Sequence, residues 1–201
     1  MVPRRVFCFL TAVVLFPALS IVAADRVSPP PAGKFYQGLY FDEPATDHDP
    51  TENDVTPANV ASFEQALNTK ITWVYFSDNW FESKTFPRPT CDWIRGLGKV
   101  PYLRLMLRSD AEQDRPEKIF TLANICAGKF DDDLKGWARS AKEFGSPILV
   151  EWGTEPNGEW FSWNGKWNGG AREGPATYIA AYRHIVELMR VAGADNLQWV
   201  W

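Results

Sequence analysis

The sequence predicts an α/β protein, namely an incomplete (β/α)8 TIM barrel of about five βα units. A Pro-rich linker is predicted at residues 25 to 34, and short aromatic or β-branched runs then alternate with helical patterns across residues 35 to 201, which is typical of a parallel sheet. No Gly-rich phosphate loop follows the first run, so the usual nucleotide-binding reason for an open sheet is missing. Right-handed βα units then favour a barrel, and a full one takes ~250 residues.

The individual elements follow from composition and turn chemistry. Strands are predicted at Phe35 to Phe41, Ile71 to Ser77, Val100 to Leu107, Ile148 to Trp152 and Leu197 to Trp201. Helices are predicted at Pro57 to Asn68, Pro89 to Leu97, Pro116 to Ala127, Asp131 to Phe144 and Pro175 to Ala192. Several helices begin with proline or acidic residues, and two end at glycine. Because the pattern stops in a fifth strand, we expect a fragment, a truncated reading frame or part of a split protein.

Residues 1 to 24 have the pattern of an export signal. Arg4 and Arg5 precede an apolar run that extends to Phe16, and small residues place cleavage near Ala24. The run is shorter than the ~20 residues that a membrane span needs. We therefore expect a secreted or periplasmic protein with no membrane association after cleavage, exported by the general secretory or the twin-arginine route.

The amino-acid composition limits the classes of binding partner that we expect. The net charge of −4 and pI near 5.3 provide no basic surface for nucleic acid. Ten tryptophans suit stacking on sugar rings, although some must fill the core. Cys91 and Cys126 fit either a disulfide or two free thiols. With two histidines and no clustered cysteines, no metal site and no cofactor are expected.

Glu155 is the leading catalytic candidate. It follows the fourth predicted strand, and functional groups of a barrel gather at the carboxyl ends of strands. Side-chain alternation places Glu151, Gly153 and Glu155 on the inner face if the strand stays regular. Arg104 shares that face on the third strand. We predict that Arg104 pairs with Glu151, either to fix strand register or to support Glu155.

The loop after Glu155 combines aromatic and amide side chains. Aromatic faces hold a pyranose ring, amides bond its hydroxyls, and a nearby carboxyl can protonate a glycosidic oxygen. The predicted substrate-binding residues are Asn157, Trp160, Trp163 and Trp167. The alternative is a rigid aromatic loop without a ligand, which would expose much apolar surface.

A glycosidase generally needs a second carboxyl group, ~5 to 5.5 Å from the first for retention and ~6.5 to 9.5 Å for inversion. None of the candidates lies in a recognisable motif. They are Asp42, Glu43, Asp78, Glu82, Glu151 and Glu159. Asp42 and Asp78 end the first two strands, where each suits either a sugar hydroxyl or a solvated loop.

Two stretches, residues 128 to 163 and 178 to 201, resemble glycoside hydrolase family 26, best known for endo-β-1,4-mannanases. The family pattern His-Glu-Met-Asn-Gly with a Trp-rich loop matches Glu155, Asn157, Gly158 and Trp160. Three positions depart from it: Thr154 replaces the histidine, Pro156 the methionine, and Glu151 an arginine that is frequent there. The histidine contacts substrate, so its loss leaves mannan specificity open.

The resemblance implies a retaining β-glycanase in which Glu155 is the general acid/base. It also implies that the nucleophile, a glutamate after the seventh strand, lies beyond residue 201, so the chain alone is expected to be inactive. Mannan, glucan and xylan remain open as substrates. A non-catalytic carbohydrate-binding protein and a structural exported domain are the alternatives to a glycosidase.

Overall fold

The computed structural model describes residues 26–41 and 52–201. Within these residues, five parallel strands lie in sequence order in one sheet. The strands are β1 (Gly38–Tyr40), β2 (Trp73–Asn79), β3 (Val100–Met106), β4 (Ile148–Trp152) and β5 (Leu197–Trp199). Neighbours in sequence are neighbours in the sheet, as consecutive elements commonly are. The predicted α/β arrangement with a parallel sheet is confirmed.

Helices connect the strands, as predicted. They are α1 (Pro57–Leu67), α2 (Arg88–Gly96), α3 (Leu122–Cys126), α4 (Asp131–Phe144), a 3-10 helix (Gly165–Trp167) and α5 (Gly170–Val191). The prediction matches α4 and β4 to the residue. It was wrong about the length of α3 and about the start of α5, which lies five residues before the predicted Pro175.

The short α3 has a local cause. Residues 116 to 121 form a loop because the Glu117 carboxylate accepts the backbone N–H groups of Lys118 and Ile119, both at 2.9 Å. These bonds replace the turn of helix that the prediction extended back to Pro116. The helix begins only after Thr121, whose hydroxyl accepts the N–H of Asn124 at 3.1 Å.

The two faces of the sheet differ in chemistry. One face packs against the helices and is apolar; its buried members include Val74, Phe76, Leu103, Leu105 and Val150. Helix α4 covers this face with a buried stripe of Leu134, Trp137, Ala138 and Ala141. The opposite face has tyrosines, Arg104 and Glu151 from the three central strands. Alternation along β2, β3 and β4 therefore separates a hydrophobic core from a polar and aromatic face.

The remaining predictions concern the export signal, two candidate carboxyls, the cysteines and membrane association. The export signal at residues 1 to 24 and the candidate carboxyls Asp42 and Glu43 lie outside the described residues. Cys91 is buried, Cys126 is exposed, and both are free thiols. None of the helices in the described part of the chain has the length and apolarity to cross a membrane.

Candidate active site

The chain leaves β4 through two residues with left-handed backbone. Gly153 has φ 63° and Glu155 has φ 50°. For a residue with a Cβ, the left-handed region costs about 1 to 2 kcal/mol. The strand is not regular beyond Trp152, so the predicted side-chain alternation does not extend from Glu151 to Glu155. Strain of this kind persists only where surrounding contacts hold it.

Two aromatic side chains hold the first carbonyls of this turn. The Tyr178 hydroxyl donates to the Gly153 carbonyl at 2.7 Å, and Trp163 Nε1 donates to the Thr154 carbonyl at 2.9 Å. Tyr178 is buried in α5, and Trp163 is buried in the loop that follows Glu155. The turn is therefore fastened both to the next helix and to its own loop.

The next two carbonyls are also bonded. The Glu155 carbonyl accepts the Gly158 N–H at 2.8 Å, and the Pro156 carbonyl accepts Asn164 Nδ2 at 2.9 Å. Asn164 is buried, so its amide holds the turn from the protein interior. We call these three side chains, Tyr178, Trp163 and Asn164, the carbonyl clamp. With it, all four carbonyls from residue 153 to residue 156 have a donor.

Burial of the carbonyl clamp changes the interpretation of Trp163. This residue is 3% exposed and stacks on Phe161, with ring centroids 4.4 Å apart. Its indole N–H is already bonded to the backbone of the turn. The structure places Trp163 in the support of the loop, whereas the sequence alone suggested a surface for stacking a sugar.

The Glu155 carboxylate itself contacts Trp160. Nε1 of Trp160 donates to Oε2 of Glu155 at 3.0 Å, and the Trp160 side chain is 42% exposed. Gly158 makes the approach possible, because a Cβ there would lie 2.4 Å from the Trp160 ring. The loop thus brings an exposed carboxylate and an exposed indole together, and Asn157 is exposed between them in sequence.

Trp167, Glu159 and Lys166 contact one another at the far end of the loop. Trp167 Nε1 donates to the Glu159 carbonyl at 2.9 Å, and the Glu159 carboxylate pairs with Lys166 at 3.1 Å. The Lys166 ammonium also lies 4.6 Å from the centre of the Trp167 ring. These contacts close the far end of the loop, so Trp160 is the predicted sugar-binding tryptophan whose ring lies against Glu155.

Two glycines fix the loop on α5. A Cβ at Gly174, in α5, would lie 2.3 Å from the Cα of Gly165. The backbone of the 3-10 helix therefore touches the backbone of α5, an approach that requires glycine. This contact sets the distance between the loop and the helix that supplies Tyr178.

The predicted ion pair between Arg104 and Glu151 is wrong. The two residues are opposite each other in the register of β3 and β4. Arg104 instead pairs with Glu52, and its Nε and Nη2 donate to the Ser77 hydroxyl at 3.0 and 2.8 Å. Glu52 lies in the connection between β1 and α1, where strand alternation gives no signal, so sequence reasoning missed it.

Glu151 is held by phenols. The Tyr75 hydroxyl donates to one carboxylate oxygen, and the Tyr102 hydroxyl donates to the other at 3.1 Å. Both tyrosines lie on the same face of the sheet as Glu151. Hydroxyl donors from β2 and β3 replace the guanidinium that parity suggested, because alternation predicts the face of a side chain and not which neighbour it bonds.

Asp78 lies on the opposite face, toward the helices. It is 6% exposed, and Trp137 Nε1 donates to its carboxylate at 2.9 Å. Burial raises the pKa of Asp78 to about 7, against the hydrogen bond from Trp137. Neither of the two expectations, a sugar contact or a solvated loop carboxylate, fits this position. Glu82 is exposed in the turn after β2.

Glu155, with its left-handed backbone and its bonded turn, lies beyond the carboxyl end of a parallel strand. Functional groups of (β/α)8 barrels gather at that edge of the sheet.

Comparison with known proteins identifies several to which this chain is similar. No family model matches the chain. Endoglucanase H of Acetivibrio thermocellus is 28% identical over 142 residues, which are 71% of this chain and 15% of that protein. The Bacillus subtilis mannanase man26 has a TM-score of 0.57 at 17% identity, over 82% of this chain and 55% of that one. The Podospora anserina GH26-CBM35 β-(1,4)-mannanase has a TM-score of 0.51 at 15% identity, over 73% and 38%.

The resemblance to glycoside hydrolase family 26 is therefore confirmed, and the solved structures support it at the level of the fold. The chain spans 15% of the curated relative and about half or less of these two structures.

Proposed function

We propose that this chain carries the acid/base half of a glycoside hydrolase active site for a β-linked polysaccharide, with Glu155 as general acid/base. The supporting observation is the clamped turn, which keeps Glu155 at φ 50° with its carboxylate exposed beside Trp160. Local strain held by several independent contacts is a mark of functional positions. The five parallel strands would be the first five of a (β/α)8 barrel.

The proposed chemistry is retaining hydrolysis. Glu155 protonates the leaving glycosidic oxygen, and its carboxylate then removes a proton from the incoming water. The second carboxyl, the nucleophile, follows a seventh strand in the family pattern and is therefore expected beyond residue 201. On this proposal the 201-residue chain binds sugar without turnover. Export to the periplasm or the medium, which the N-terminal pattern suggests, would bring it to a polysaccharide.

The substrate is proposed to be a neutral β-1,4-linked polysaccharide, mannan first. The exposed indole of Trp160 offers a flat surface next to the acid, which suits a pyranose ring. The similar solved structures are mannanases, whereas the curated relative is an endoglucanase. Thr154 stands where the mannanase pattern has histidine, so a β-glucanase is the second candidate.

Binding and chemistry are tested separately. Purified chain is titrated with manno-, gluco- and xylo-oligosaccharides by calorimetry, and release of reducing sugar is measured on the polysaccharides. We expect the response to be strongest for a manno- or gluco-oligosaccharide and Trp160→Ala to remove most of the affinity. Glu159→Gln, which removes an exposed carboxylate of the same loop, serves as the control and should bind as the parent chain does. Absence of binding to all three sugars would contradict the proposal.

A non-catalytic carbohydrate-binding protein is the alternative, since an exposed indole beside an amide suits sugar binding without any chemistry. The discriminating measurement uses the full-length gene product with a Glu155→Gln change. Loss of hydrolysis with retained binding supports the acid/base role. Equal hydrolysis before and after the change removes that role from Glu155.

A further inference from the structure

The connection between β3 and α3, which we call the β3–α3 loop (residues 107–121), lies against the loop that follows Glu155. The backbone N–H of Asp114 donates to the Trp160 carbonyl at 2.9 Å. For the described residues, no other backbone–backbone hydrogen bond joins these two loops. The loops also line a common cavity, to which Arg115 and Trp160 both contribute. The β3–α3 loop therefore contacts the residue whose indole bonds Glu155.

Both ends of the β3–α3 loop are anchored in the protein interior. At the first end, Arg108 is buried and its Nη2 donates to the Asn79 side-chain carbonyl at 3.0 Å. At the last end, Phe120 is buried, with its ring centroid 4.7 Å from that of Phe130 and 5.7 Å from that of Trp80. The shape of the segment between these anchors depends on the contacts that it makes with itself.

The Glu117 carboxylate closes this segment. Its Oε1 accepts the backbone N–H groups of residues 118, 119 and 120, at 2.9, 2.9 and 3.3 Å. Its Oε2 accepts the backbone N–H of Ser109 at 3.1 Å. An ionised carboxylate has lone pairs for all four donors. Glu117 therefore joins the beginning of the β3–α3 loop to its end, between residues that are eight positions apart.

The tip of the closed loop is held by Asp110. Its carboxylate pairs with Arg115 and accepts the backbone N–H of Glu112 at 3.0 Å. Asp114, within this tip, has a left-handed backbone with φ 56°. Such a conformation is costly for a residue with a Cβ and persists where surrounding contacts hold it. The tip is thus kept in a shape that presents the Asp114 N–H to the Trp160 carbonyl.

We propose that Glu117 is a positioning residue for Trp160, acting through the closed β3–α3 loop and the Asp114 N–H. Closure of the loop supports the Trp160 backbone, so that the exposed indole stays beside the Glu155 carboxylate. The importance of this role for sugar binding rests on the proposed function, whereas the closure and the contact rest on geometry alone. The β3–α3 loop thereby takes part in the site although it contains none of the predicted sugar-binding residues.

The test uses a variant that opens the closure selectively. In Glu117→Gln, the amide oxygen can still accept the N–H groups of residues 118 to 120, but the NH2 group then faces the Ser109 N–H and cannot accept it. Glu117→Ala removes all four bonds. Glu112→Gln is the matched control, because it neutralises an exposed carboxylate of the same loop and leaves the closure in place.

Two N–H groups report the result in 1H–15N NMR spectra: the backbone N–H of Asp114 and the indole N–H of Trp160, the latter assigned by its loss in Trp160→Phe. In the parent chain, we expect the Asp114 N–H to be protected from hydrogen exchange although the residue is exposed. Glu117→Gln should increase that exchange roughly 2- to 10-fold, as loss of one hydrogen bond would, and should shift the Trp160 resonance. Glu117→Ala should have larger effects, and Glu112→Gln neither.

Two results would overturn the positioning role of Glu117. One is an Asp114 N–H that exchanges in the parent chain as fast as an unstructured peptide, a measurement that does not depend on the folding of any variant. The other is a folded Glu117→Gln whose two reporters match those of Glu112→Gln. Neither result bears on the proposed function, whose failure would appear as absence of sugar binding by the parent chain. In the full-length protein, support of the stacking surface predicts a higher KM for Glu117→Gln with a smaller change in kcat.

Discussion

Nε1 of Trp160 donates a hydrogen bond to Oε2 of Glu155 across 3.0 Å. The bond joins the proposed sugar-stacking side chain to the proposed general acid/base. Both are exposed, so a ligand that stacks on Trp160 lies against the carboxylate.

The first prediction concerns Trp160. Trp160→Phe keeps an aromatic face and loses the indole donor, whereas Trp160→Ala loses both. If stacking dominates, the phenylalanine variant retains most of the oligosaccharide affinity and the alanine variant loses ~1 to 3 kcal/mol, by analogy with other ring-stacking contacts. Calorimetric titration with manno- and gluco-oligosaccharides checks this. Equal losses in the two variants would instead indicate that the hydrogen bond to Glu155 carries the binding.

The second prediction concerns Tyr178 of the carbonyl clamp. Tyr178→Phe removes the donor to the Gly153 carbonyl and leaves that carbonyl buried without its partner. We expect the free energy of unfolding to fall by about 1 to 3 kcal/mol, measured by urea denaturation. Tyr36→Phe is the control, because its hydroxyl donates to the Ser28 carbonyl at an exposed site. A loss no larger than that of the control would show that the clamp does not stabilise the turn.

The third prediction concerns the contact between Gly165 and Gly174. Gly174→Ala puts a Cβ 2.3 Å from a backbone atom, which cannot move without shifting the loop. We expect a destabilisation of roughly 1 to 3 kcal/mol and a changed Trp160 environment in fluorescence. Gly136→Ala in α4 is the matched control: its Cβ would meet only the end of Arg139, at 3.7 Å. Helix propensity then predicts a gain of up to about 1 kcal/mol there.

The sequence was sufficient to predict the order and type of the main elements, because each depends on local periodicity and on nearby caps. Strand β4 and helix α4 are predicted to the residue, since alternation in β4 and an acidic first turn with Gly145 after α4 mark their ends. The early start of α5 at Gly170 was not predicted, because Pro175 is the helix-start signal in the sequence, whereas the N-cap residue, Gly169, has no side chain to cap the helix.

The same distinction, between features set by local sequence and features set by tertiary contacts, applies to the site. The motif around Glu155 predicted where it lies in the fold and which loop follows it. The sequence could not show that Trp163 supports the loop while Trp160 faces outward, because both are tryptophans in one irregular segment. It also could not choose the partner of Arg104, since Glu52 comes from a connection whose path is set by tertiary contacts.

The last prediction concerns the pH dependence of stability through Asp78. Burial raises the pKa of this carboxyl to about 7, from 3.8 when it is free in solution. Between these values the folded chain keeps a proton that the unfolded chain releases. Asp78 therefore has no effect on stability below about pH 4 and lowers it progressively as pH rises to about 7, with a slope near 1.4 kcal/mol per pH unit. Asp78→Asn keeps an acceptor for Trp137 and cannot ionise, so this decline should disappear.

Urea denaturation of both chains from pH 4 to pH 8 measures the effect of Asp78. The difference in free energy of unfolding should favour the asparagine variant increasingly toward pH 7 and level off above it. Asp132→Asn, an exposed change at the start of α4, controls for the loss of one negative charge. If the free energies of unfolding of Asp78→Asn and of the parent chain change in parallel with pH, Asp78 is ionised in the folded state. Its hydrogen bond from Trp137 must then stabilise the carboxylate by at least as much as burial destabilises it.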